Sequence, residues 1–477
     1  MNAGKNNMFH SDITPSTIRD ILFYAKKEKN ILFVGICGSG MASLARLLKR
    51  EGYHILGYDS SSGGEYARLL RDGIEVVHSV EEIDILTVAL TVYTLAIPDI
   101  HPLISEEIPH CSRAQLLGAW MLDYPIRIAI AGAHGKSTVT SLVHRTLLAL
   151  GERPTTLSGA DLGDGEGPLF VGEKNIFLYE CCEYKNSFLY TYPTVALLLN
   201  IDLEHTDFFK SIDEIREAFL RFSYLANSTL YFATDEGLSS ISERMPTSAT
   251  PYFLFRESTA PDREHLTFGE IEGKERDVYT YSFYREGRKM ATLTPKIFGE
   301  VGVYNTLATL TLMAHLGYHI QKCAECLQSL GPIGRRMELL GFLGARPLYY
   351  DFAHHPTEIL MTITTLTDRY GIPPVVIFAP HTYSRTRDLW EKFVEVFVLA
   401  KEVYLAPITS AREEPLPNIT SEYLAQDIGT HAHPLSCLDT KTLENCEGPI
   451  VLMGAGTLEG TKEKLTKMQT FISICEI

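Results

Sequence analysis

Seven consecutive residues, Gly132-Ala133-His134-Gly135-Lys136-Ser137-Thr138, carry the parts that nucleoside triphosphate chemistry needs. Glycines let the backbone turn its N–H groups toward phosphate oxygens, Lys136 supplies positive charge, and the Ser137 hydroxyl is a hard oxygen ligand for Mg²⁺. A strict phosphate-loop motif has glycine at position 130, where this chain has Ile130, so the turn is a shortened GxxGKS form. An acid is needed for the metal. Glu180, at the end of the apolar run Ile176–Tyr179, is the best placed, with Glu183 next. A second polar cluster, Asn200 to Asp207, ends the run Thr194–Leu199 and offers His205, because α/β sheets bind ligands at the carboxyl ends of their strands.

An earlier turn, Gly35-Ile36-Cys37-Gly38-Ser39-Gly40, has the spacing GxxGxG rather than the dinucleotide fingerprint GxGxxG, which disfavours a dehydrogenase. It still joins a strand to a helix beginning near Met41, so its N–H groups suit a phosphate. Asp59, followed by Ser60, ends the next strand and is placed to meet a ribose hydroxyl or a base. A tight turn with no ligand is the plain alternative.

The elements that must position these turns follow from hydrophobic patterning. Residues 31–35 form an apolar run, Met41, Leu44, Ala45, Leu47 and Leu48 suit one helix face, and HILGYDSS returns as a strand. That βαβ order implies a parallel sheet. Further strands are expected at Ile74–Val77, at Ile85–Leu90 and near Ile108. Pro125 marks a linker, after which IRIAIAG opens a second α/β domain. Residues 250–295 alternate in short segments and are expected to form antiparallel strands appended to it. Helical patterns at Asn305–Leu316 and Ile320–Leu330 lead to the boundary GPIGRR, and four apolar runs beyond it make a third α/β domain. The expected fold class is α/β, with domains 1–125, 126–331 and 332–477.

Composition narrows the function classes. The 477 residues suit roughly three domains. With 43 Lys+Arg against 59 Asp+Glu the net charge is −16, and no basic patch stands out, so neither a nucleic acid nor an anionic membrane is expected as a partner. Neither a leader-like apolar stretch after MNAGKNNMFH nor a membrane-length apolar run is seen, and the nine scattered cysteines do not resemble a disulfide framework. A cytoplasmic location is expected. The pair Cys323 and Cys326 lacks a partner pair at zinc spacing and reads as plain thiols.

Taken in order, GICGSGMASLA, AGAHGKST, NIDLEH, YNTLAT, GPIGRRMELLG, YYDFAHHPTE, APHTYSRTRDLWEKF and APITSAREEP resemble the Mur ligase family over essentially the whole chain. The resemblance implies a Rossmann-like UDP-sugar domain, a central P-loop ATPase and a Rossmann-like carboxy-terminal domain on the amino-acid side. It implies an ATP- and Mg²⁺-dependent ligase of peptidoglycan precursor synthesis: ATP phosphorylates the carboxylate of UDP-N-acetylmuramate, and L-alanine attacks the acyl phosphate. A monomer or homodimer is expected. Carried over by position, Gly35, Gly38, Ser39, Gly40, Met41, Asp59 and Ser60 resemble the sugar-nucleotide site. Gly132 to Thr138, Asn305 and Asp351 resemble the ATP site, and Ser137, Glu180 and His205 the metal ligands. Arg335 or Arg336 matches an arginine near the transferred phosphate. His354, His355, His381 and Arg385 fall where the family gathers its amino-acid and acyl-phosphate contacts.

Four segments depart from the family's usual form. AHGKST stands for THGKTT, which keeps a metal-binding hydroxyl. Glu180-Cys181-Cys182-Glu183-Tyr184-Lys185 stands for EADESD, so Cys182 and Lys185 replace two acids. Val301-Gly302 replaces a His-Asn pair on the adenine side, and Thr382 replaces one arginine of the carboxylate clamp PHRYTRT. ECCEY and DFAHHP also lean toward the relative that attaches a murein tripeptide. A ligase for another amine, or a nucleotide-binding paralog of weakened activity, are therefore the alternatives.

Overall fold

The structure is a computed structural model that describes residues 13–474 except 96, 98–100, 106, 164–166, 257–262, 332–333, 335, 411–412, 440–442, 444–446 and 457. It divides into two compact units, one comprising residues 1–201, 215–231 and 235–250, the other 202–214, 232–234 and 251–477.

The first unit opens with five parallel strands, β1 (Asn30–Val34), β2 (His54–Tyr58), β3 (Glu75–Val77), β4 (Val88–Tyr93) and β5 (His110–Ser112), in the order β3-β2-β1-β4-β5. Ile31 to Val34 are fully buried, which is why β1 reads as a continuous apolar run rather than an alternating one. The strand expected at 85–90 starts later: Asp84 accepts from Leu86 N (3.1 Å) and caps a 3₁₀ turn over Ile85–Thr87 before β4 begins.

The same unit holds β6 (Ile126–Ala131), β7 (Pro154–Leu157), β8 (Leu169–Phe170), β9 (Glu173–Cys181), β10 (Val195–Leu198) and β11 (Ser228–Phe232), in the order β11-β10-β6-β9-β7-β8. All pairs are parallel except β7 with β8. Each glycine turn leaves the carboxyl end of a strand flanked on both sides, β1 by β2 and β4, β6 by β9 and β10. Ligand crevices open at such points in parallel sheets.

The second unit takes up β12 (Ala249–Phe255) and continues with β13 (Thr267–Glu275), β14 (Val278–Arg285) and β15 (Arg288–Leu293). The antiparallel expectation holds for β13-β14 and β14-β15, but β12 and β13 are parallel. Eleven residues, 256–266, separate them in sequence, and a parallel pair cannot be joined by a two-residue hairpin. The helix expected from Asn305 begins earlier, spanning Gly299–His315.

The last sheet comprises β16 (Glu338–Leu343), β17 (Arg346–Asp351), β18 (Val375–Phe378), β19 (Glu402–Leu405), β20 (Ala432–Pro434), β21 (Ile450–Met453) and β22 (Phe471–Ser473), in the order β20-β19-β18-β21-β17-β16-β22. Five strands are parallel; β16 and β22 add an antiparallel edge. Among the described residues no helix is long and apolar enough to cross a membrane.

Candidate active site

In the first unit, β6 is fully buried from Ile128 to Ala131 and delivers the phosphate turn at its end. Gly135 lies in the left-handed region (φ +85°), which glycine adopts without Cβ strain, so the helix Lys136–Ala149 starts at once. Asn200 holds the turn in shape. Its Oδ1 accepts from His134 N (2.8 Å), its Nδ2 donates to His134 O (3.0 Å), and its own carbonyl accepts from Ala133 N (3.2 Å).

Two acids then divide the work. The Lys136 ammonium donates to the carbonyls of Gly132 and Ala133 (3.2 Å to the latter) and to both oxygens of Glu183 (3.2 and 3.4 Å). Burial opposes the charged amine, but Glu183, Cys182 and Glu180 outweigh it and hold Lys136 above its ordinary value. Glu183, which the sequence offered as a second metal acid, is the lysine's counter-ion. Glu180 accepts from Ser137 Oγ (3.1 Å), Ser158 Oγ (3.2 Å) and Gly159 N (2.7 Å). A carboxylate beside a hydroxyl is an all-oxygen pair of the kind Mg²⁺ takes, so these residues fit that ion. Thr138 is buried in the first turn of the helix.

The first turn is built as tightly. Gly35 has φ +80°, and a Cβ there would lie 2.5 Å from Thr94 Cγ2. Gly38 caps the helix Ser39–Arg50, with Gly40 in its first turn. The buried Asp59 accepts from Cys37 N (2.9 Å) and Ser61 N (3.3 Å), so its carboxylate closes the turn, a structural task the ribose expectation had not included. Met41 is 2% exposed and its side chain belongs to the core. Ser60 is exposed beside Asp59.

In the second unit a polar cluster gathers beyond the carboxyl ends of β17 and β18. Arg385 reaches Glu204 (3.3 Å) and the Nδ1 and carbonyl of His381 (3.5 Å each). Burial raises Glu204, but Arg385, His355, His354 and His205 outweigh it and hold the carboxyl at about 2. Burial, Arg385 and His354 push His381 down to about 4, so it is neutral near pH 7 and presents an acceptor. His354 donates through N to Glu358 (3.1 Å), and its Nδ1 meets Phe352 O (3.0 Å); burial lowers its pKa. Arg336 lies 3.6 Å from Glu358.

Two expectations change character here. His355 is fully buried and caps the helix Pro356–Tyr370, accepting from Thr357 N (3.3 Å), with Asp202 at 3.4 Å. Asp351 is also buried, accepting from Ala353 N (3.1 Å) and Thr362 Oγ1 (3.0 Å), and burial pushes it up to about 6.

Asn305 is buried on the helix Gly299–His315. Gly302 shows why the family's asparagine is missing: a Cβ there would meet Ile297 O at 2.2 Å. His205 takes a left-handed φ of +55°, and Arg335 lies outside the described residues. Lys136, Ser137 and Glu180 thus share the first unit, while His205, Asn305, Arg336, Asp351, His354, His381 and Arg385 belong to the second. The sequence did not single out Asn200, Glu204 or Glu358. Asn200 and Glu204 stood inside a cluster already noticed, but only contacts across the fold give them roles.

Residues 30–125 match the Mur ligase family catalytic domain, 130–313 the Mur ligase middle domain and 335–447 the Mur ligase glutamate ligase domain. The UDP-N-acetylmuramate–L-alanine ligase of Clostridium beijerinckii is 32% identical over 460 residues, 93% of this chain and 99% of that one. The enzyme of the same name from Acetivibrio thermocellus is 30% identical, covering 94% and 98%. Among solved structures, UDP-N-acetylmuramate-alanine ligase from Thermotoga maritima superposes with a TM-score of 0.73 at 22% identity, covering 92% of this chain and 98% of that one. A murein peptide ligase from Psychrobacter arcticus gives 0.67 at 20% identity, with the same coverage. The α/β sheets, the phosphate turn and these matches lead to one assignment: the chain belongs to the Mur ligase family and is an ATP-dependent amide ligase.

Proposed function

We propose that this ligase joins L-alanine to UDP-N-acetylmuramate, with domains at 1–125, 126–331 and 332–477. The observation that carries the chemistry is the phosphate turn, where Lys136 is neutralised by Glu183 while Ser137 and Glu180 are left together as oxygen donors. The alanine assignment is supported by relatives of that name matched over nearly their full lengths.

A carboxylate is a poor electrophile at neutral pH. Its oxygen attacks the γ-phosphorus of ATP and ADP leaves, making an acyl phosphate. The amine nitrogen attacks the acyl carbon, phosphate departs with the C–O electron pair, and the amine loses a proton. Mg²⁺, held by Ser137 and Glu180, would supply charge neutralisation for the phosphates. The chain's own part is to position the triphosphate on the Gly132–Thr138 turn, orient the carboxylate, and hold the amino acid by Arg385 and the neutral His381. His205 serves as a second metal-side group, Asn305 and Asp351 as nucleotide-side groups, and Arg336 as a cation near the transferred phosphate.

One observation favours a second reading, a ligase for another amine. Thr382 stands where the family has a clamp arginine, and its hydroxyl accepts from Arg385 N (3.4 Å) as a helix cap, so it cannot fork a carboxylate. The test is ADP release with ATP, Mg²⁺, UDP-N-acetylmuramate and a panel of L-alanine, glycine, L-serine and the murein tripeptide. Turnover highest with L-alanine supports the first reading, and turnover confined to another amine replaces it. No amine-dependent ADP with any of them leaves a nucleotide-binding paralog.

A further inference from the structure

Arg113 opens the helix Arg113–Met121 directly after β5, and a capping box fixes that start: Ser112 Oγ accepts from Gln115 N (3.3 Å) and Gln115 Oε1 accepts from Ser112 N (2.8 Å). The guanidinium is thereby laid on the first glycine turn. A Cβ built on Gly40 would stand 3.5 Å from its Cζ, Nε and Nη1 alike, so the plane of the group faces the Gly40 backbone and its N–H edges are turned elsewhere. Arg113 also lines a small, open pocket with Glu180, Cys182 and Ser187. Among the described residues no carboxylate lies within ion-pair distance of this guanidinium. The group facing it from the acidic segment is Cys182, where the family's usual form has an aspartate.

We infer that Arg113 is a specificity-determining residue that binds the carboxylate of the sugar nucleotide and holds it beside Glu180; this rests on the reading of UDP-N-acetylmuramate as the substrate. A half-buried guanidinium with no carboxylate in ion-pair distance among the described residues has its charge available, and its planar fork matches two coplanar carboxylate oxygens. The position selects the carboxylate over the diphosphate. The pocket wall that Arg113 shares carries Glu180, which also accepts from Ser137 of the phosphate turn, and the phosphoryl acceptor has to reach that turn. A cation there also offsets the repulsion between the carboxylate and the phosphates it must approach.

Binding calorimetry separates the possibilities with two ligands, UDP-N-acetylmuramate and UDP-N-acetylglucosamine, the second lacking the lactyl carboxylate. Arg113→Ala is expected to weaken the first by about 10- to 100-fold, the size of a charge-assisted contact, and the second by less than about 2-fold. Arg113→Lys, which preserves charge and bulk, falls between. Cys182→Asp sets a carboxylate against the guanidinium and also weakens only the first ligand. Equal losses for both ligands would mean that Arg113 serves the diphosphate and overturn the proposal, as would unchanged binding of UDP-N-acetylmuramate by folded Arg113→Ala and Arg113→Lys. Wild-type protein that binds neither ligand removes the substrate reading itself, and this proposal with it.

Discussion

Lys136 Nζ and Glu183 Oε2 lie 3.2 Å apart with side chains only 13% and 2% exposed, an ion pair built into the floor of the phosphate turn. Removing one partner of a buried pair strands the other's charge. Lys136→Ala is therefore expected to lower ATP turnover by about 10²- to 10³-fold. Binding of the sugar nucleotide should be unchanged, because it uses the first turn. ADP release and calorimetry on the same preparation check both halves, and unaltered turnover would remove the assigned ATP site.

Asn200 grips His134 from both ends of its amide. Asn200→Ala removes two hydrogen bonds from a loop that must keep one shape to cradle phosphates. We expect KM for ATP to rise about 10-fold and the thermal midpoint to fall, consistent with roughly 1–3 kcal/mol for unpaired buried groups. Asn200→Asp, which retains only the acceptor, should recover part of neither or both together; recovery of stability without KM would separate the loop's shape from its binding.

Arg385 and Glu204 are coupled in the same sense. Arg385→Ala should raise KM for the amino acid by about 10- to 100-fold while also destabilising the protein through the stranded Glu204. The double variant with Glu204→Gln should regain stability but not KM. If both return together, Arg385 acts only by holding Glu204.

The pH dependence of stability has a definite sign at Glu204. Its folded value of about 2 lies below the ordinary 4.5, so the stability it contributes is complete above pH 4.5 and is lost as pH falls toward 2. The advantage of wild type over Glu204→Gln should shrink by roughly 1 kcal/mol per pH unit below 4.5. Asp351 runs the other way: raised to about 6, it favours the folded state less as pH climbs from 4 through 6. Unfolding midpoints of Glu204→Gln and Asp351→Asn between pH 3.5 and 8 check both signs.

Restoring the family's asparagine on the adenine side should fail. With Ile297 O only 2.2 Å from the Cβ position, Gly302→Asn must displace backbone, and a loss of about 1–3 kcal/mol is expected with no gain in ATP affinity. Tighter ATP binding in a stable Gly302→Asn variant would show that the helix start adapts.

Parts of this site are legible in the sequence. Buried strands ending in glycine turns announce themselves as apolar runs stopped by Gly, and Lys136, Ser137 and Glu180 stand at such stops. The parallel β12-β13 pair was not legible, because alternation reports which face a strand buries and not which way its neighbour runs. His355 and Asp351 stood in a motif that looked exposed to ligand, yet both are buried.

By itself the sequence determined the α/β class, the two glycine turns and the family, since these rest on local periodicity and on short motifs whose order the chain preserves. Only the tertiary structure decided which acid serves Lys136 and which stays with Ser137, that Asn200 clamps the loop, and that Arg113 faces a thiol. Those are pairings between residues 47, 66 and 69 positions apart. Burial and charge depend on what the fold brings within a few ångströms, and no spacing along the chain carries that information.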